Sequence, residues 1–456
     1  MKDFRQYMVP GRRGHLIGVG GVSMSPLAEV LRGMGLVISG SDINESENVA
    51  HLRSLGIKVV MGHHAETVTE ELDFVVRTAA VHDDNPEISA ARALGVPVFE
   101  RTEAWGAIMR DYKNALCISG THGKTTTTSM CTHILMAAEM DPTVMIGGTL
   151  PLLHAGHRVG QGDTIVMESC EYCNSFLNFY PTIAVILDIE ADHLDFFKDL
   201  EDVKASFRKF AALVPEDGTI IANRDDANTM DALAPLGREI MTFGMTDSAD
   251  VWPRNIIVVG TQTDFDVMHR DRVFTHVSIH VPGIHNVKNA LAASAAAIVL
   301  GCGPMAVRYG LGAFNGAGRR FEFKGKFNGA DVYDDYAHHP GELKALLDTV
   351  ESLGYKRTIV VFQPHTYSRT QALFDDFVTQ LRRPDIAVLA EIYAAREQNT
   401  IGISSKDISD KIDNAMFFDS FDEILKTLRW IAAPGDIILT VGAGDIYKVG
   451  ERLVKE

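Results

Sequence analysis

The segment Ser119-Gly120-Thr121-His122-Gly123-Lys124-Thr125-Thr126 follows the apolar run 115–119 and leads into a helical stretch. A strand, a glycine turn and a helix start in that order point several backbone N–H groups inward, as a nest for phosphate oxygens. Gly120, Thr121, Gly123 and Thr126 form the cradle, Lys124 adds a mobile cation, and Thr125 offers a hydroxyl to Mg2+. The spacing G-x-x-G-K-T is two residues shorter between its glycines than the common phosphate loop.

Two further groups gather around this turn. Glu168 ends the strand-like run 164–167, and Asp192-His193-Leu194-Asp195 follows the run 183–187. Ligands of an open parallel sheet lie beyond the carboxyl ends of its strands, so all three turns face one crevice. A carboxylate and an imidazole there hold divalent cations between phosphate oxygens. Gly283-Ile284-His285-Asn286-Val287-Lys288-Asn289 opens an Ala-rich helix over about 287–300. Asn286 suits a helix cap, and Asn289 carries the donor and acceptor that an adenine edge requires. The spacing leaves both readings open.

The turn Gly18-Val19-Gly20-Gly21-Val22-Ser23, with Asp42 at the end of the next strand, resembles a dinucleotide fingerprint with Ser23 in place of its last glycine. A phosphate or ribose site at Gly20, Gly21, Ser23 and Asp42 is expected; NAD binding does not follow. Polar clusters also end strands near the C-terminus: Asp334-Asp335-Tyr336-Ala337-His338-His339-Pro340, Gln363-Pro364-His365-Thr366-Tyr367-Ser368-Arg369-Thr370 and Gly442-Ala443-Gly444-Asp445. Their histidines fit no standard zinc spacing. Arg319-Arg320 follows a Gly-rich stretch, 314–320, and suits either a cation that swings onto a transferring phosphoryl group or a solvated pair. Cys170-Glu171-Tyr172-Cys173 is a CxxC without a second pair or redox context, and reads as coincidence.

The elements that must position these groups alternate short apolar strands with helices, the pattern of parallel α/β sheets. Runs 15–19, 36–39, 58–61, 74–76 and 96–99 form a first set. Runs 115–119, 164–167, 183–187 and 219–222 form a second, and 331–333, 357–362, 386–390 and 436–441 a third. Between them, 255–260, 263–269 and 273–281 alternate polar and apolar residues, predicting a small antiparallel sheet. The expected fold is α/β in three domains: a Rossmann-like unit at 1–111, a central P-loop-type ATPase unit at 112–320, and a Rossmann-like unit at 321–456. Linkers are expected at 111–114 and 314–320.

At 456 residues, 46% hydrophobic and 23% charged, the chain has the composition of a globular protein of more than one core. A net charge of −17 argues against nucleic-acid binding, so nucleotide phosphates must be held by local amides, a few cations and metal ions. Five cysteines, no signal-like apolar core and no run long enough for a bilayer lead to the expectation of a cytoplasmic chain, monomeric or homodimeric, without membrane contact.

Together these motifs resemble the Mur ligase family, three-domain enzymes of peptidoglycan precursor synthesis. Its carriers span nearly the whole chain: 15–27, 120–127, 178–195, 283–293, 319–322, 334–340, 362–370 and 442–446. The loops 334–340 and 363–370 resemble those of the member that adds L-alanine to UDP-N-acetylmuramate. The resemblance implies that the first domain binds the UDP-sugar, the second ATP and Mg2+, and the third the amino acid, the carboxylate being activated as an acyl phosphate. It implies that Lys124 and the 120–123 amides hold the β- and γ-phosphates. Thr125 and Glu168 then bind one Mg2+, and Glu168 with His193 a second. Asn289 reads adenine, His285 lies near the phosphates, Arg320 reaches the γ-phosphate and Asp335 the ribose. His338 and Arg369 line the alanine pocket, Arg369 pairing the carboxylate. Two acidic positions depart from the family's Glu-Ala-Asp-Glu-Ser-Asp, where Cys170 and Cys173 stand. The rival readings are a sibling ligase for another amino acid or a tripeptide, a nicotinamide dehydrogenase, and a non-catalytic nucleotide switch.

Overall fold

The computed structural model describes residues 3–78, 81–194, 196–395 and 397–455; Asp195 therefore lies outside the described residues. Three sheets follow one another along the chain. The first has strands β1 (Arg13–Ile17), β2 (Val37–Asp42), β3 (Lys58–Met61), β4 (Phe74–Arg77) and β5 (Val98–Glu100). All are parallel, in the order β3-β2-β1-β4-β5, a Rossmann-like arrangement.

The central sheet contains β6 (Asn114–Ser119), β7 (Thr143–Leu150), β8 (Ala155–Arg158), β9 (Thr164–Glu168) and β10 (Ile183–Ile186). It continues with β11 (Thr219–Asn223), β12 (Ile240–Phe243), β13 (Val251–Val259), β14 (Gln262–His269) and β15 (Arg272–Ile279). The order is β15-β14-β13-β12-β11-β10-β6-β9-β7-β8. The antiparallel strands β13–β15 are thus not a separate small sheet. β13 pairs parallel to β12 through Phe243 and Val251, and the meander extends the central sheet. The third sheet has β16 (Glu322–Phe327), β17 (Ala330–Asp335), β18 (Arg357–Phe362), β19 (Ile386–Ala390), β20 (Ala415–Phe418) and β21 (Asp436–Val441). Its order is β16-β17-β21-β18-β19-β20, with only β16 antiparallel.

Two of these orders decide where chemistry can occur. β6 lies between β9 and β10, so the glycine turn, Glu168 and the loop after β10 leave three neighbouring strand ends. β21 lies between β17 and β18, which brings the 334–340, 363–370 and 442–445 loops together in the same way. The buried alanines of the helix Ile284–Val299 pack with Met130 and Ile134 of the helix Lys124–Ala137. Small side chains let two helices approach closely, and here that fixes the start of the Lys124 helix. The Ala-rich helix begins three residues earlier than expected. Gly283, at φ 96°, is its cap, and Asn286 lies inside the first turn, donating to Pro282 O at 2.7 Å.

The first and central sheets share one hydrophobic core, in which Phe4, Leu16 and Trp105 continue into Phe176, Phe207 and Phe210. Their junction is tight. A Cβ on Gly106, in the helix Arg101–Met109, would lie 1.9 Å from Asn178 O. We expect Gly106→Ala to force this helix outward and lower stability by about 1–3 kcal/mol. A urea midpoint matching wild type would refute that.

Candidate active site between two sheet edges

Gly123, at φ 77°, turns the chain from β6 into the helix Lys124–Ala137; a Cβ there would lie 2.6 Å from Asn289 Oδ1. Two amides of the turn are already committed: Thr121 N donates to Asp188 O at 3.1 Å and His122 N to Asp188 Oδ1 at 2.8 Å. The donors left for an anion are therefore the amides at the helix start, which an α-helix leaves without internal partners. Lys124 Nζ folds over the turn, donating to Gly120 O at 2.5 Å, Thr121 O at 3.1 Å and Glu171 Oε2 at 3.0 Å. Burial works against its charge, but Glu171 outweighs burial and the lysine pKa is raised. It stays a cation at any assay pH.

Beside it, Thr125 Oγ1 donates to Glu168 Oε1 at 3.0 Å, while Glu168 Oε2 accepts from Gly147 N of β7 at 2.7 Å. Hydroxyl and carboxylate thus sit as a hard-oxygen pair suited to Mg2+. His193, at φ 54°, comes to Glu171, with Nε2 3.7 Å from Glu171 Oε1, and its ring packs against Tyr172. Burial lowers the His193 pKa, so a neutral imidazole is available as a ligand. Cys170, Glu171 and His193 bring their ligand atoms within 4.8 Å of one another.

A cavity of about 940 Å³ opens between the central and third sheets, lined among others by Thr126, Asn289, His285, Arg320, Asp335 and Asp188. Asn289 accepts from Thr127 Oγ1 at 3.3 Å and donates to Asn286 Oδ1 at 3.1 Å, which leaves one donor and one acceptor position. Burial holds the His285 pKa down at about 4 and raises that of Asp335 to about 6. Both Asp335 oxygens accept backbone amides, from Phe321 and Ala337, each at 2.8 Å. The arginine pair divides. Both line the cavity, but Arg319 is tied to Asp334 at 3.0 Å and to the carbonyls of Gly442 and Gly444, whereas Arg320 has looser contacts, 3.9 Å from Glu342 and over the Tyr336 ring at 5.1 Å.

On the far side of the glycine turn, the two edges meet directly. Arg369 clasps Asp192 through Nη2 at 2.9 Å and Nε at 3.1 Å, and Nη1 approaches His365 Nδ1 at 3.2 Å. Despite burial, Arg369 holds the Asp192 carboxyl well below the usual range. His338 contacts Tyr336 O at 3.0 Å, and burial lowers its pKa to about 4. His122 spans the gap, with Nε2 3.1 Å from Glu190 and Nδ1 3.4 Å from Glu342.

Comparison with known proteins gives this arrangement its place. Residues 13–113 match the Mur ligase family catalytic domain, 118–297 the Mur ligase middle domain, and 319–444 the Mur ligase glutamate ligase domain. The chain belongs to the Mur ligase family. It is 47% identical to the UDP-N-acetylmuramate–L-alanine ligase of Agathobacter rectalis and 44% identical to that of Clostridium novyi, each match covering 97% of both chains. The crystal structure of the UDP-N-acetylmuramate–alanine ligase of Thermotoga maritima superposes with a TM-score of 0.81 at 30% identity, covering 97% of this chain and 98% of that one.

In this Mur ligase the N-terminal turn stands apart from the cavity. Asp42 accepts from Gly20 N at 2.8 Å and Asn44 N at 3.0 Å, so its carboxylate first of all shapes the turn. A Cβ on Gly20 would lie 2.8 Å from Val49, and one on Gly21 3.3 Å from Gly18 O. Ser23 heads the helix Met24–Gly33, where Arg101 donates to its hydroxyl and Trp105 Nε1 to its carbonyl. Sequence reasoning missed Asp188, Glu171 and Glu342 as site groups. Asp188 directly follows the strand run 183–187, a position that marks a crevice residue. Glu171 was hidden inside the CxxC, and Glu342 lies in a helix with no motif of its own.

Proposed function

We propose that this chain joins L-alanine to the carboxylate of UDP-N-acetylmuramate at the expense of ATP, as a cytoplasmic step of peptidoglycan precursor synthesis. The names of its relatives supply the substrates. The observation that carries the chemistry is an unbroken line of contacts, Lys124–Glu171–His193–Asp192–Arg369, running from the phosphate turn to the opposite sheet edge. A cation for a phosphoryl group and a cation for a carboxylate stand at its two ends, and each is matched by a carboxylate. Among the described residues no helix is long and apolar enough to cross a membrane.

In this reading residues 1–111 hold the UDP-sugar, 112–320 the ATP and 321–456 the alanine. The sugar carboxylate attacks the γ-phosphorus, ADP leaves, and an acyl phosphate forms. The alanine amine then attacks the acyl carbon, and phosphate departs from the tetrahedral intermediate. Two anions meet in the first step, so Lys124, Arg320 and the helix-start amides stabilise the charge that develops. Thr125 and Glu168 would hold one Mg2+, and His193 beside Glu171 is suited to a second. Bound there, Mg2+ would supply positive charge to offset that of the phosphates. Asn289 offers its remaining donor and acceptor to adenine, and Asp335 lies where a ribose hydroxyl would reach it. Arg369 releases Asp192 to pair the alanine carboxylate, and neutral His338 stands ready to take the amine proton.

The test is ADP release in the presence of ATP and UDP-N-acetylmuramate, adding one acceptor at a time. Alanine should raise the rate above glycine, serine and a cell-wall tripeptide. Preference for the tripeptide would make the chain a sibling ligase, and ADP release indifferent to any amine would remove the ligation step.

A further inference from the structure

A second cluster of ligand-type side chains lies where the first and central sheets meet. Glu29 is on the helix Met24–Gly33, His51 on the helix Glu47–Ser54, and His157 on β8, the edge strand of the central sheet. Both imidazoles direct Nε2 at the same oxygen, Glu29 Oε2, from 3.1 Å (His51) and 3.3 Å (His157). The cluster is partly open: Glu29 keeps 28% of its side-chain exposure and His51 47%, while His157 keeps only 13%.

We propose that Glu29, His51 and His157 form a binding site for a divalent cation of the Zn2+ class, separate from the Mg2+ pocket and joining the first sheet to the second. Zn2+ bonds to imidazole nitrogen and carboxylate oxygen are about 2.0–2.1 Å, so neighbouring ligands on its tetrahedron stand about 3.3 Å apart. Two of the three edges, Glu29–His51 and Glu29–His157, already have that spacing, and all three atoms lie within 4.8 Å of one another. Two imidazoles and one carboxylate, with an open side for water, are the donor set of a three-ligand zinc site. Such nitrogen donors select against Mg2+, which keeps to oxygen. As hydrogen bonds the two rings share one carboxylate oxygen, whereas an ion would take a lone pair from each of the three atoms.

The site's position gives it a consequence. β8 pairs with β7, His157 lying opposite Met145, and two residues further along β7 the Gly147 amide holds Glu168. An ion at Glu29 therefore ties the helix that follows the N-terminal glycine turn to the strand pair that orients the Thr125–Glu168 oxygens.

The experiment uses the full chain, stripped with a chelator and titrated calorimetrically with ZnCl2 in excess Mg2+, so that the oxygen pocket is filled. Wild type should bind Zn2+ and show a raised melting temperature. Co2+ in its place should give the strong visible bands of tetrahedral coordination. His51→Ala, at a half-exposed position that the fold tolerates, and His157→Ala should each weaken this binding at least ~10-fold and abolish the thermal shift. Glu168→Gln should leave it intact. Equal Zn2+ affinity and stoichiometry in wild type and in the His51→Ala/His157→Ala double variant overturn the proposal, whichever other group holds the ion. So does a wild-type chain that takes up no Zn2+.

Discussion

Lys124→Ala lowers ADP release by at least ~100-fold while the chain remains folded. The expectation rests on where the ammonium sits. It is mostly buried, kept charged by Glu171, and already docked on two carbonyls of the glycine turn, so little reorganisation separates it from a phosphate oxygen. A preorganised charge-stabilising donor in a water-poor site commonly contributes ~10²–10³-fold to turnover. Removing it also leaves Glu171, 2% exposed, as a buried carboxylate that has lost its closest cation, and an unpaired buried charge is itself destabilising. The double variant Lys124→Ala/Glu171→Gln separates the two effects. It should regain the wild-type urea midpoint and still fail to turn over. Near wild-type turnover in Lys124→Ala would take the turn out of the mechanism.

The groups around that lysine differ in how far the sequence reveals them, and the difference has a physical origin. The glycine turn, Glu168 and His193 follow apolar runs whose strands prove to be neighbours, and a parallel sheet collects such strand ends at one edge. Local pattern was therefore enough for them, as it was for the strands Lys58–Met61, Arg357–Phe362, Ile386–Ala390 and Asp436–Val441. Contacts between edges follow from no local pattern. Arg369 meets Asp192 across 177 residues, and His122 meets Glu342 only because the central and third sheets face each other. The same holds for the arginine pair, which is symmetrical in sequence. Both line the cavity, but Arg319 is hydrogen-bonded to Asp334 and to the Gly442 carbonyl, while Arg320 keeps looser contacts with Glu342 and the Tyr336 ring. β7 and β16 went unseen because Gly147-Gly148 interrupts one and lysines alternate through the other, as suits strands near or at a sheet edge. The antiparallel strands were visible, but not their joining to β12, which rests on one register pair.

Arg369→Ala raises the alanine KM by ~10–100-fold with UDP-sugar binding little changed, the range expected for losing a charge-assisted hydrogen-bonded pair of about 1.5–3 kcal/mol. In the structure its guanidinium is already satisfied by Asp192, which is 9% exposed. The alanine carboxylate must therefore displace or share that partner, and Asp192 keeps the fork aimed while the site waits. The effect should appear in KM rather than in the phosphoryl step, because Arg369 lies at the opposite end of the contact line from Lys124. Arg369→Lys retains the charge but not the planar fork, so its KM should fall between wild type and alanine. Asp192→Asn offers the complementary test. With the competing carboxylate neutralised, alanine should bind no more weakly through charge, and any loss must come from a fork no longer held in place. An unaltered alanine KM in Arg369→Ala would move the acceptor site away from this edge and leave the Arg369–Asp192 pair as a strut between the two sheets.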